Sequence, residues 1–189
     1  MKPEAFDALF HDLLNLKKLR RTGWALRGIR DGESLADHAF GVSILTLILV
    51  EFHPQLNREK AVRLALLHEL GECRVGDIPF PALSYLKGKS EAERAAVSDL
   101  LEPLGERKPS LLAEYLEFED NQTPEARFVK AVDKLEMLVT AAEYERTGYR
   151  SLTDFWENAV TFECLQEFPL LSELANRLRQ LRTERLGSR

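Results

Sequence analysis

The sequence predicts an all-α protein, and three features lead to that prediction. No segment alternates between apolar and polar residues with the period of two that a half-buried strand requires. The 189 residues include only 10 glycines and 8 prolines, which favours helices with short connections. Residues that typically cap helices precede several apolar stretches. We therefore expect residues 1–189 to form a single-domain helical bundle, since this length suits one domain with a sizeable core.

Three helices are predicted in the first part of the chain. Apolar residues near one face predict a helix over residues 3–19, and the basic segment 17–30 is expected to form a loop. Ser34, with Asp37 three residues later, resembles a capping box and begins a second helix that ends near residue 53. Asn57 is a suitable N-cap for a third helix, which is expected to end near residue 76.

Capping residues also mark the helices of the second part. Ser90 with Glu93 resembles another capping box, which would begin a helix that ends near residue 101. Thr123 followed by Pro124 combines an N-cap with proline at the first helical position, and the long helix that follows ends at Gly148. The remaining helices are expected over residues 110–120, 153–165 and 169–186.

Charge and composition narrow the range of partners. The formal net charge is −5, whereas a general nucleic-acid-binding protein would have a basic surface. Cys73 and Cys164 are far apart and form no Cys-x-x-Cys pattern, which fits a reducing compartment. Residues 1–14 contain acids and a histidine where a signal peptide needs an apolar stretch. The most apolar run, 39–50, is shorter than the ~20 residues that span a bilayer. We expect a cytoplasmic protein that binds neither nucleic acid nor a membrane.

The third predicted helix carries the main functional signal. At ~100° per residue, its basic residues fall on one side, whereas His68, Glu69 and Glu72 share the opposite arc with alanines. Buried carboxylates need a cation, a proton or hydrogen bonds. A divalent metal would satisfy them, because imidazole nitrogen and carboxylate oxygen are both metal ligands. The pattern lacks the second histidine of the H-E-x-x-H zinc protease motif. Pairing with a basic side chain from another helix is the alternative.

Periodicity alone identifies few other candidates. His38 lies on an apolar stripe of the second helix, where a histidine is more often a hydrogen-bonded core residue than a ligand. Asp133 lies at the margin of the apolar face of its helix, and periodicity does not distinguish it from Glu136. His11 and His53 have no comparable setting and are predicted to be surface residues.

Taken in order, these residues resemble the HD-domain superfamily, which has a histidine in one helix, a His-Asp doublet in the next and an aspartate much further along. Within it, the chain is most similar to the HD-domain 5′-deoxynucleotidases. The resemblance extends roughly over residues 13–146, and its order makes it more specific than any single motif. The matching segments are residues 16–24, 33–38, 63–68, 72–78 and 128–137.

The resemblance implies a divalent metal (Mn, Fe, Co, Ni or Zn) held by His38, His68, Glu69 and Asp133. In the family, the metal activates a water that attacks the phosphorus of a deoxynucleoside 5′-monophosphate. Glu72 matches the carboxylate that orients or deprotonates this water. The substrate is thus expected to be a small nucleotide.

Three more residues match the family at the substrate. Asp77 matches a second acidic residue of the catalytic site. Arg21 and Trp24 match the arginine and tryptophan that contact the nucleotide and disfavour a ribose 2′-hydroxyl. Without the resemblance, Arg21 would be assigned to a solvated basic run and Trp24 to the core. The family also implies a homodimer.

One residue departs from the pattern, because the usual His-Asp doublet is here His68-Glu69. Glutamate keeps the charge and both oxygens but adds a methylene group, whose extra rotamer freedom must be frozen when a metal binds. We expect a site that still binds metal but loses it more readily than its His-Asp relatives.

Three other functions stay open at this point. The first is a phosphohydrolase of the same fold that acts on a cyclic or pyrophosphorylated nucleotide. The second is a non-catalytic nucleotide-binding module in which Glu69 has weakened the metal site. The third is a helical interaction protein without a small-molecule site, which leaves the inward-facing acids of the third helix unexplained.

Overall fold

A computed structural model describes residues 3–187 of the chain. Within that range it contains no β-strand, only an isolated antiparallel bridge between Arg20 and Ser34. The predicted all-α class is therefore confirmed. The α-helices are α1 (Asp7–Lys18), α2 (Thr22–Ala25), α3 (Leu35–Leu49), α4 (Arg58–Leu67), α5 (Glu72–Val75), α6 (Lys89–Leu100), α7 (Lys108–Asp120), α8 (Pro124–Arg146), α9 (Thr153–Glu157), α10 (Ala159–Leu165) and α11 (Pro169–Gly187).

Local capping interactions begin three helices where the sequence predicts them. At the start of α3, Ser34 and Asp37 form the predicted capping box, in which each side chain accepts a hydrogen bond from the other residue's backbone N–H. The side chains of Asn57 and Thr123 cap α4 and α8 in the same way, each accepting one backbone N–H. Gly148 follows α8 with a φ of +115°, which only glycine adopts readily.

Helix α8 runs through the centre of the bundle, where α3, α4, α7, α10 and α11 pack against it. Its buried side chains Phe128, Val132 and Leu135 lie in the main hydrophobic core. Burial of each such side chain stabilises the fold by roughly 1.5–3 kcal/mol. A smaller core around Tyr115 connects α6 to α7. Because α3, α4 and α8 all contact one another, polar side chains on their facing sides meet inside the protein.

The third predicted helix is broken, which corrects the expectation of one helix over residues 57–76. Helix α4 ends at Leu67, and α5 begins at Glu72 after a tight turn. Gly71 lies in this turn, packed so closely that an added Cβ atom would lie 2.8 Å from the side chain of Glu93 and from the hydroxyl of Tyr115. Contacts with α6 and α7 therefore constrain the turn, and the hydrophobic period of the segment does not reveal them.

The predicted capping box at Ser90 is wrong. Ser90 lies inside α6, which begins one residue earlier, after Gly88 in a left-handed conformation (φ +90°). The side chain of Glu93 does not return to the helix start, because it forms a 2.7 Å ion pair with Lys89. This pair belongs to a cluster of charges beside α5.

Two connections also differ from expectation. A short helical turn, α2, forms within the segment 17–30, for which the sequence predicts a loop. Asn158 divides the helix predicted over residues 153–165 into α9 and α10, because its side chain caps α10 by accepting the N–H of Val160. Both features shape a cavity that is described below.

His53 is buried, with 6% of its surface exposed, which corrects its prediction as a surface residue. Its Nδ1 lies 2.9 Å from the carbonyl oxygen of Leu49, and its ring packs against Phe128 and Phe168. It is a hydrogen-bonded core histidine. His11 is exposed, as predicted.

Helix α3 has a buried side and an exposed apolar side. The stretch Leu35–Phe52 has a mean hydropathy of 1.6 and is long and apolar enough to cross a membrane by those two criteria alone. Its inner side packs on α4 and α8 and includes the fully buried Leu35 and Val42. The outer side, here called the α3 apolar face, exposes Phe40, Ile44, Leu47, Ile48 and Phe52.

Candidate active site

His38 lies where α3 faces α8, and its side chain is fully buried. Its Nδ1 lies 2.6 Å from a carboxylate oxygen of Glu136 on α8. Since an ionised carboxylate can only accept, this hydrogen bond places an imidazole proton on Nδ1. Nε2 is buried and makes no well-directed hydrogen bond among the described residues, although a carboxylate of α8 lies 3.1 Å away. That nitrogen is therefore available to a proton or a metal.

His68 repeats this arrangement at the end of α4. Its Nδ1 lies 2.6 Å from the carbonyl oxygen of Ala65, one turn earlier in the same helix, and donates to it. Its Nε2 is also buried without a hydrogen-bond partner in the part of the chain that the structure describes. The ring centroids of His38 and His68 are 5.4 Å apart. Buried polar atoms are rarely left unpaired, so two such nitrogens in one place indicate a missing ligand.

Two carboxylates complete the cluster. Oε1 of Glu69 lies 3.4 Å from Nε2 of His38 and also 3.4 Å from Nε2 of His68. Oδ1 of Asp133 on α8 lies 3.1 Å from Nε2 of His38. The structure thus groups His38, His68 and Glu69, whose donor atoms all lie within 4.8 Å of one another, and it places Asp133 of α8 in contact with His38 alone of these three.

The donor set of this cluster fits a divalent cation. Two neutral imidazoles and two carboxylates balance a charge of two, and these ligand types suit first-row transition metals. Metal–ligand bonds of ~2.0–2.2 Å hold adjacent ligand atoms about 3 to 3.5 Å apart, which agrees with the observed separations of 3.1 to 3.4 Å. The acids on the other side of the His38 ring, Glu33 and Glu136, do not form a second site of this kind. The 2.6 Å contact of Glu136 is a hydrogen bond that orients the ring.

The carboxylates also control the charge of the cluster in the metal-free protein. Burial disfavours a charged His38, and so does the guanidinium of Arg21. The carboxylates of Asp133 and Glu136 outweigh both effects and raise the pKa of His38 to about 10. Burial also disfavours a charged Glu69, but the two histidines and Arg21 hold its pKa well below the usual range. A metal must therefore displace a proton from His38.

Glu72, at the start of α5, is 9% exposed and lies beside the cluster. Its Oε1 accepts from the ammonium group of Lys89 at 3.3 Å, whereas its Oε2 is buried without a hydrogen-bond partner among residues 3–187. Burial and the negative charge of Glu69 raise the pKa of Glu72 to about 9. A nearby cation would favour the ionised form. An ionised carboxylate with one unpaired oxygen can accept a proton from water.

A polar cavity of about 350 Å³ opens onto these groups, here called the catalytic cavity. His68, Glu69 and Asp133 line it, together with Glu72. Its volume is in the usual range for small-molecule sites. Both acidic and basic side chains line it, which suits a polar, anionic ligand held by a metal and by basic side chains. The basic residues that line the cavity are Arg21, Lys89, Lys130 and Lys134.

Arg21 is part of the site and does not belong to a solvated basic run. Its side chain is 18% exposed, and its guanidinium donates a 2.8 Å hydrogen bond to Oε1 of Glu69. Burial disfavours its charge, but Glu69, Asp133 and other carboxylates outweigh burial and raise its pKa. It is therefore a permanent positive charge next to the candidate metal ligands.

Asp77 and Trp24 do not line the catalytic cavity. The carboxylate of Asp77 accepts from both the backbone N–H and the hydroxyl of Thr22, so it anchors α2 next to Arg21. The side chain of Trp24 is 2% exposed, its indole N–H donates to Glu33, and its ring stacks on another aromatic ring. The burial of Trp24 agrees with its assignment to the core from the residues alone. Its contact with a substrate, which the family resemblance implies, stays a prediction.

Several residues near the site were not nominated from the sequence. Glu136 stands one helical turn after Asp133, so it shares the inner side of α8, but only the position of His38 identifies it as an orienting group. Lys134 follows Asp133 directly and donates to its second oxygen at 2.9 Å. Lys89 and Lys130 reach the cavity from α6 and α8, and no local pattern marks them.

Comparisons with known proteins agree with this geometry. A protein-family model described as HD domain matches residues 13–163. The 5′-deoxynucleotidase hdd1 of Schizosaccharomyces pombe is 37% identical over 150 residues, which cover 76% of this chain and 75% of that protein. The 5′-deoxynucleotidase HDDC2 of Homo sapiens is 35% identical over 164 residues, which cover 84% of this chain and 79% of that protein.

A solved structure is also similar over nearly its whole length. It is a conserved hypothetical protein from Pyrococcus furiosus, with a TM-score of 0.79 and 33% sequence identity. The match covers 92% of this chain and 98% of that chain. The family match at residues 13–163 includes every residue of the cluster, from Arg21 to Asp133.

Proposed function

This chain belongs to the HD domain family, and from that premise we propose that it is a metal-dependent 5′-deoxynucleotidase. It hydrolyses deoxynucleoside 5′-monophosphates to deoxynucleosides and phosphate. One observation carries the proposal: the donor atoms of His38, His68 and Glu69 converge, with Asp133 against His38, beside Glu72, a carboxylate with an unpaired oxygen.

We assign the metal ligands to His38, His68, Glu69 and Asp133. The two unpaired Nε2 atoms support this assignment, and the ligand types suit Mn, Fe, Co, Ni or Zn. When bound, a divalent cation there supplies positive charge for the phosphate and increases the acidity of water.

Glu72 is the proposed general base. Its Oε2 has no hydrogen-bond partner among the described residues and so can accept a proton from the attacking water. The water oxygen forms a bond to phosphorus, the bond from phosphorus to O5′ breaks, and the proton taken by Glu72 passes to the leaving oxygen. Lys89 holds the other oxygen of Glu72 and so fixes the orientation of this carboxylate.

The basic side chains of the catalytic cavity bind the phosphate. Arg21 has five N–H donors, of which one is directed at Glu69, so the others can bind phosphate oxygens. Lys134 and Lys130 add positive charge from α8. At the sugar, Asp77 and Trp24 act by holding the α2 turn in place, since the carboxylate binds Thr22 and the indole ring is buried.

The experiment that tests the function measures phosphate release from a panel of nucleotides. The protein is stripped with a chelator, reloaded with each candidate metal, and offered deoxynucleoside, ribonucleoside, cyclic and diphosphate substrates. We expect faster hydrolysis of deoxynucleoside 5′-monophosphates than of their ribose counterparts. Glu72→Ala should lower turnover by about 10²-fold or more, while metal binding is kept.

Two outcomes would redirect this proposal. Cleavage of another phosphoester, with no release of phosphate from any deoxynucleotide, would refute the substrate and leave the hydrolase. Binding of nucleotides without hydrolysis by any metal-loaded form would indicate a binding module.

We also propose that two copies of the chain associate through the α3 apolar face. Phe40 is 68% exposed and Phe52 is 67% exposed, and the one charged residue between them in the sequence, Glu51, is paired with Arg58 at 2.9 Å. Leu66 on α4, the helix packed beside α3, is also 61% exposed. Contiguous exposed apolar surface of this kind is typical of an interface.

Light scattering after size-exclusion chromatography tests the dimer. We expect the natural protein to be dimeric and Leu47→Asp to be monomeric, because a charge at the centre of the face would have to be buried. Leu174→Asp, at an exposed apolar position of α11, is the matched control and should stay dimeric. A monomeric natural protein that binds lipid vesicles would instead indicate a membrane-facing surface.

A further inference from the structure

A second cavity, of about 640 Å³, adjoins the catalytic cavity. Lys134 lines both cavities, and its ammonium group donates to the candidate metal ligand Asp133. The two spaces therefore meet at a residue that lies next to the reacting centre. A ligand whose phosphate occupies the catalytic cavity could extend directly into the second one.

The second cavity has a mainly apolar surface that includes two aromatic rings. Phe80, Phe155, Met137 and Val160 line it, from four different elements of the chain, and Asn158 contributes a polar side chain. Charged side chains line it as well, namely Arg27, Lys134, Asp154 and Glu157. A mainly apolar pocket with some polar groups is the usual form of a small-molecule site. Its surface is more apolar than that of the catalytic cavity, so we expect a ligand that fills both to have one anionic end and one flatter, less polar end.

One wall of this cavity is a fixed stack of planar groups. The ring of Trp24 stacks on Phe155 with a centroid distance of 4.6 Å, and the guanidinium of Arg27 lies over Phe155, 5.0 Å from its centroid. Arg27 is held there by an ion pair with Asp154 and a hydrogen bond to the carbonyl of Gly23. Aromatic rings and guanidinium planes are the surfaces on which proteins stack nucleobases.

Phe80 contributes the exposed aromatic side chain of the cavity. It is 78% exposed, although it lies only three residues after Asp77 and lines a concave site. An exposed phenyl ring at the wall of an apolar cavity loses its contact with water when a flat ligand covers it.

We propose that the second cavity binds the heteroaromatic base of the nucleotide, between Phe80 and the stack of Phe155 and Arg27. This inference rests on the proposed nucleotidase function. The phosphate occupies the catalytic cavity, the deoxyribose lies near Lys134, and the base enters the second cavity. The role of Trp24 is then to support Phe155 from behind, which agrees with its burial.

Kinetics on two substrates test the base subsite. Deoxythymidine 5′-monophosphate carries a base, whereas 2-deoxyribose 5-phosphate is the same phosphate ester without one. We expect Phe80→Ala to raise the KM for the nucleotide about tenfold, within the effect of one lost base–aromatic stack, with kcat and the KM for the sugar phosphate unchanged. Arg27→Lys, which keeps the charge opposite Asp154 but loses the plane, should act in the same direction. Tyr85→Ala is the control, because Tyr85 is 85% exposed in the same segment and does not line the cavity.

Binding of deoxythymidine, which has no phosphate, separates this proposal from the proposed function. Ligand-detected NMR should show deoxythymidine bound to the natural protein and to Tyr85→Ala, and not to Phe80→Ala. If no nucleotide is hydrolysed but this binding depends on Phe80, the nucleotidase function is refuted and the base subsite is supported. If the nucleotide is hydrolysed and both Phe80→Ala and Arg27→Lys leave its KM unchanged, the subsite is overturned and the nucleotidase stands.

Discussion

Arg21 donates a 2.8 Å hydrogen bond to Oε1 of Glu69, the same oxygen that lies 3.4 Å from Nε2 of both histidines in the cluster. In the metal-free protein, the guanidinium thus supplies part of the positive charge that a metal would bring. Glu69 can reach toward Arg21 because its side chain is one methylene longer than the aspartate usual at this position. The cation and the arginine therefore compete for one oxygen.

This competition predicts how substitutions at Glu69 affect metal affinity. Glu69→Asp should bind metal more tightly than the natural protein, because the shorter side chain has fewer rotamers to freeze and turns away from Arg21. Glu69→Gln should bind at least about tenfold more weakly, since a disturbed ligand shell typically costs 10–100-fold. Competition against a chromogenic chelator measures both constants, and the nucleotidase assay should follow the same order. Equal affinity and activity in Glu69→Gln and the natural protein would mean that Glu69 is not a ligand.

Metal binding should also strengthen as the pH rises. In the metal-free protein, the neighbouring carboxylates raise the pKa of His38 to about 10. Burial and the negative charge of Glu69 raise the pKa of Glu72 to about 9. At pH 7 the imidazole of His38 is therefore charged and the carboxyl group of Glu72 is protonated. A metal needs the neutral imidazole and favours the ionised Glu72, so its binding releases protons. Between pH 6 and 8 the dissociation constant should fall about tenfold per pH unit for each proton released.

Calorimetric titration in buffers of different ionisation enthalpy counts those protons. The natural protein should release close to two protons per metal at pH 7, and Glu72→Gln one fewer, since the amide does not titrate. An affinity that does not change between pH 6 and 8 would contradict the charge states assigned to His38 and Glu72.

The fold could be predicted from local signals, whereas most of the site could not. The caps of Ser34 and Asn57 act within four residues, so the sequence reveals where those helices begin. The break at Gly71 arises from contact with Glu93 and Tyr115, which are distant in the chain, and no periodic pattern contains that information. The error at Ser90 has a different, local cause: Ser90 and Glu93 have the spacing of a capping box, but Glu93 pairs with Lys89 in the same helix.

The four candidate ligands show the same division between local and long-range information. The burial of Glu69 beside His68 follows from the arc that they share, and their inward position was predicted from it. The convergence of His38 and Asp133 depends on how α3 packs against α8, and only the resemblance to a known family predicted it. Neither the helical arc nor the family resemblance identified Glu136, because its hydrogen bond with His38 depends on how α3 and α8 pack together.

Lys89 should control the base Glu72. Its ammonium group lies 3.3 Å from Glu72 and 2.7 Å from Glu93, and its positive charge lowers the pKa of Glu72. Lys89→Met should therefore raise the pKa of Glu72 by about one unit, which lowers kcat about tenfold on the acidic limb of its pH profile and has little effect at higher pH. The acidic limb of the kcat profile should move to higher pH, with little change in KM.

Two variants control the test at Lys89. Lys89→Arg keeps the charge and should restore most of the rate, whereas Lys87→Met removes an exposed lysine of the same segment and should change nothing. A pH profile for Lys89→Met that coincides with that of the natural protein would show that Lys89 does not act on the base.

Glu136 should set the metal affinity through His38 without touching the metal. Its Oε2 accepts a 2.6 Å hydrogen bond from Nδ1 of His38, which fixes the ring and makes Nε2 a better metal ligand. Gly41 leaves room for this carboxylate, because a Cβ atom at that position would lie 2.7 Å from Oε1 of Glu136. Glu136→Ala should weaken metal binding about 10–100-fold, the usual cost of losing such a partner. Glu136→Gln should weaken it less, because the amide oxygen can still accept from Nδ1 although the negative charge is gone.

Glu143→Gln, on the exposed side of the same helix, is the matched control and should bind metal like the natural protein. Chelator competition gives the affinities, and circular dichroism checks that each variant is folded. If folded Glu136→Ala binds metal as tightly as Glu143→Gln, the orientation of His38 does not depend on this carboxylate.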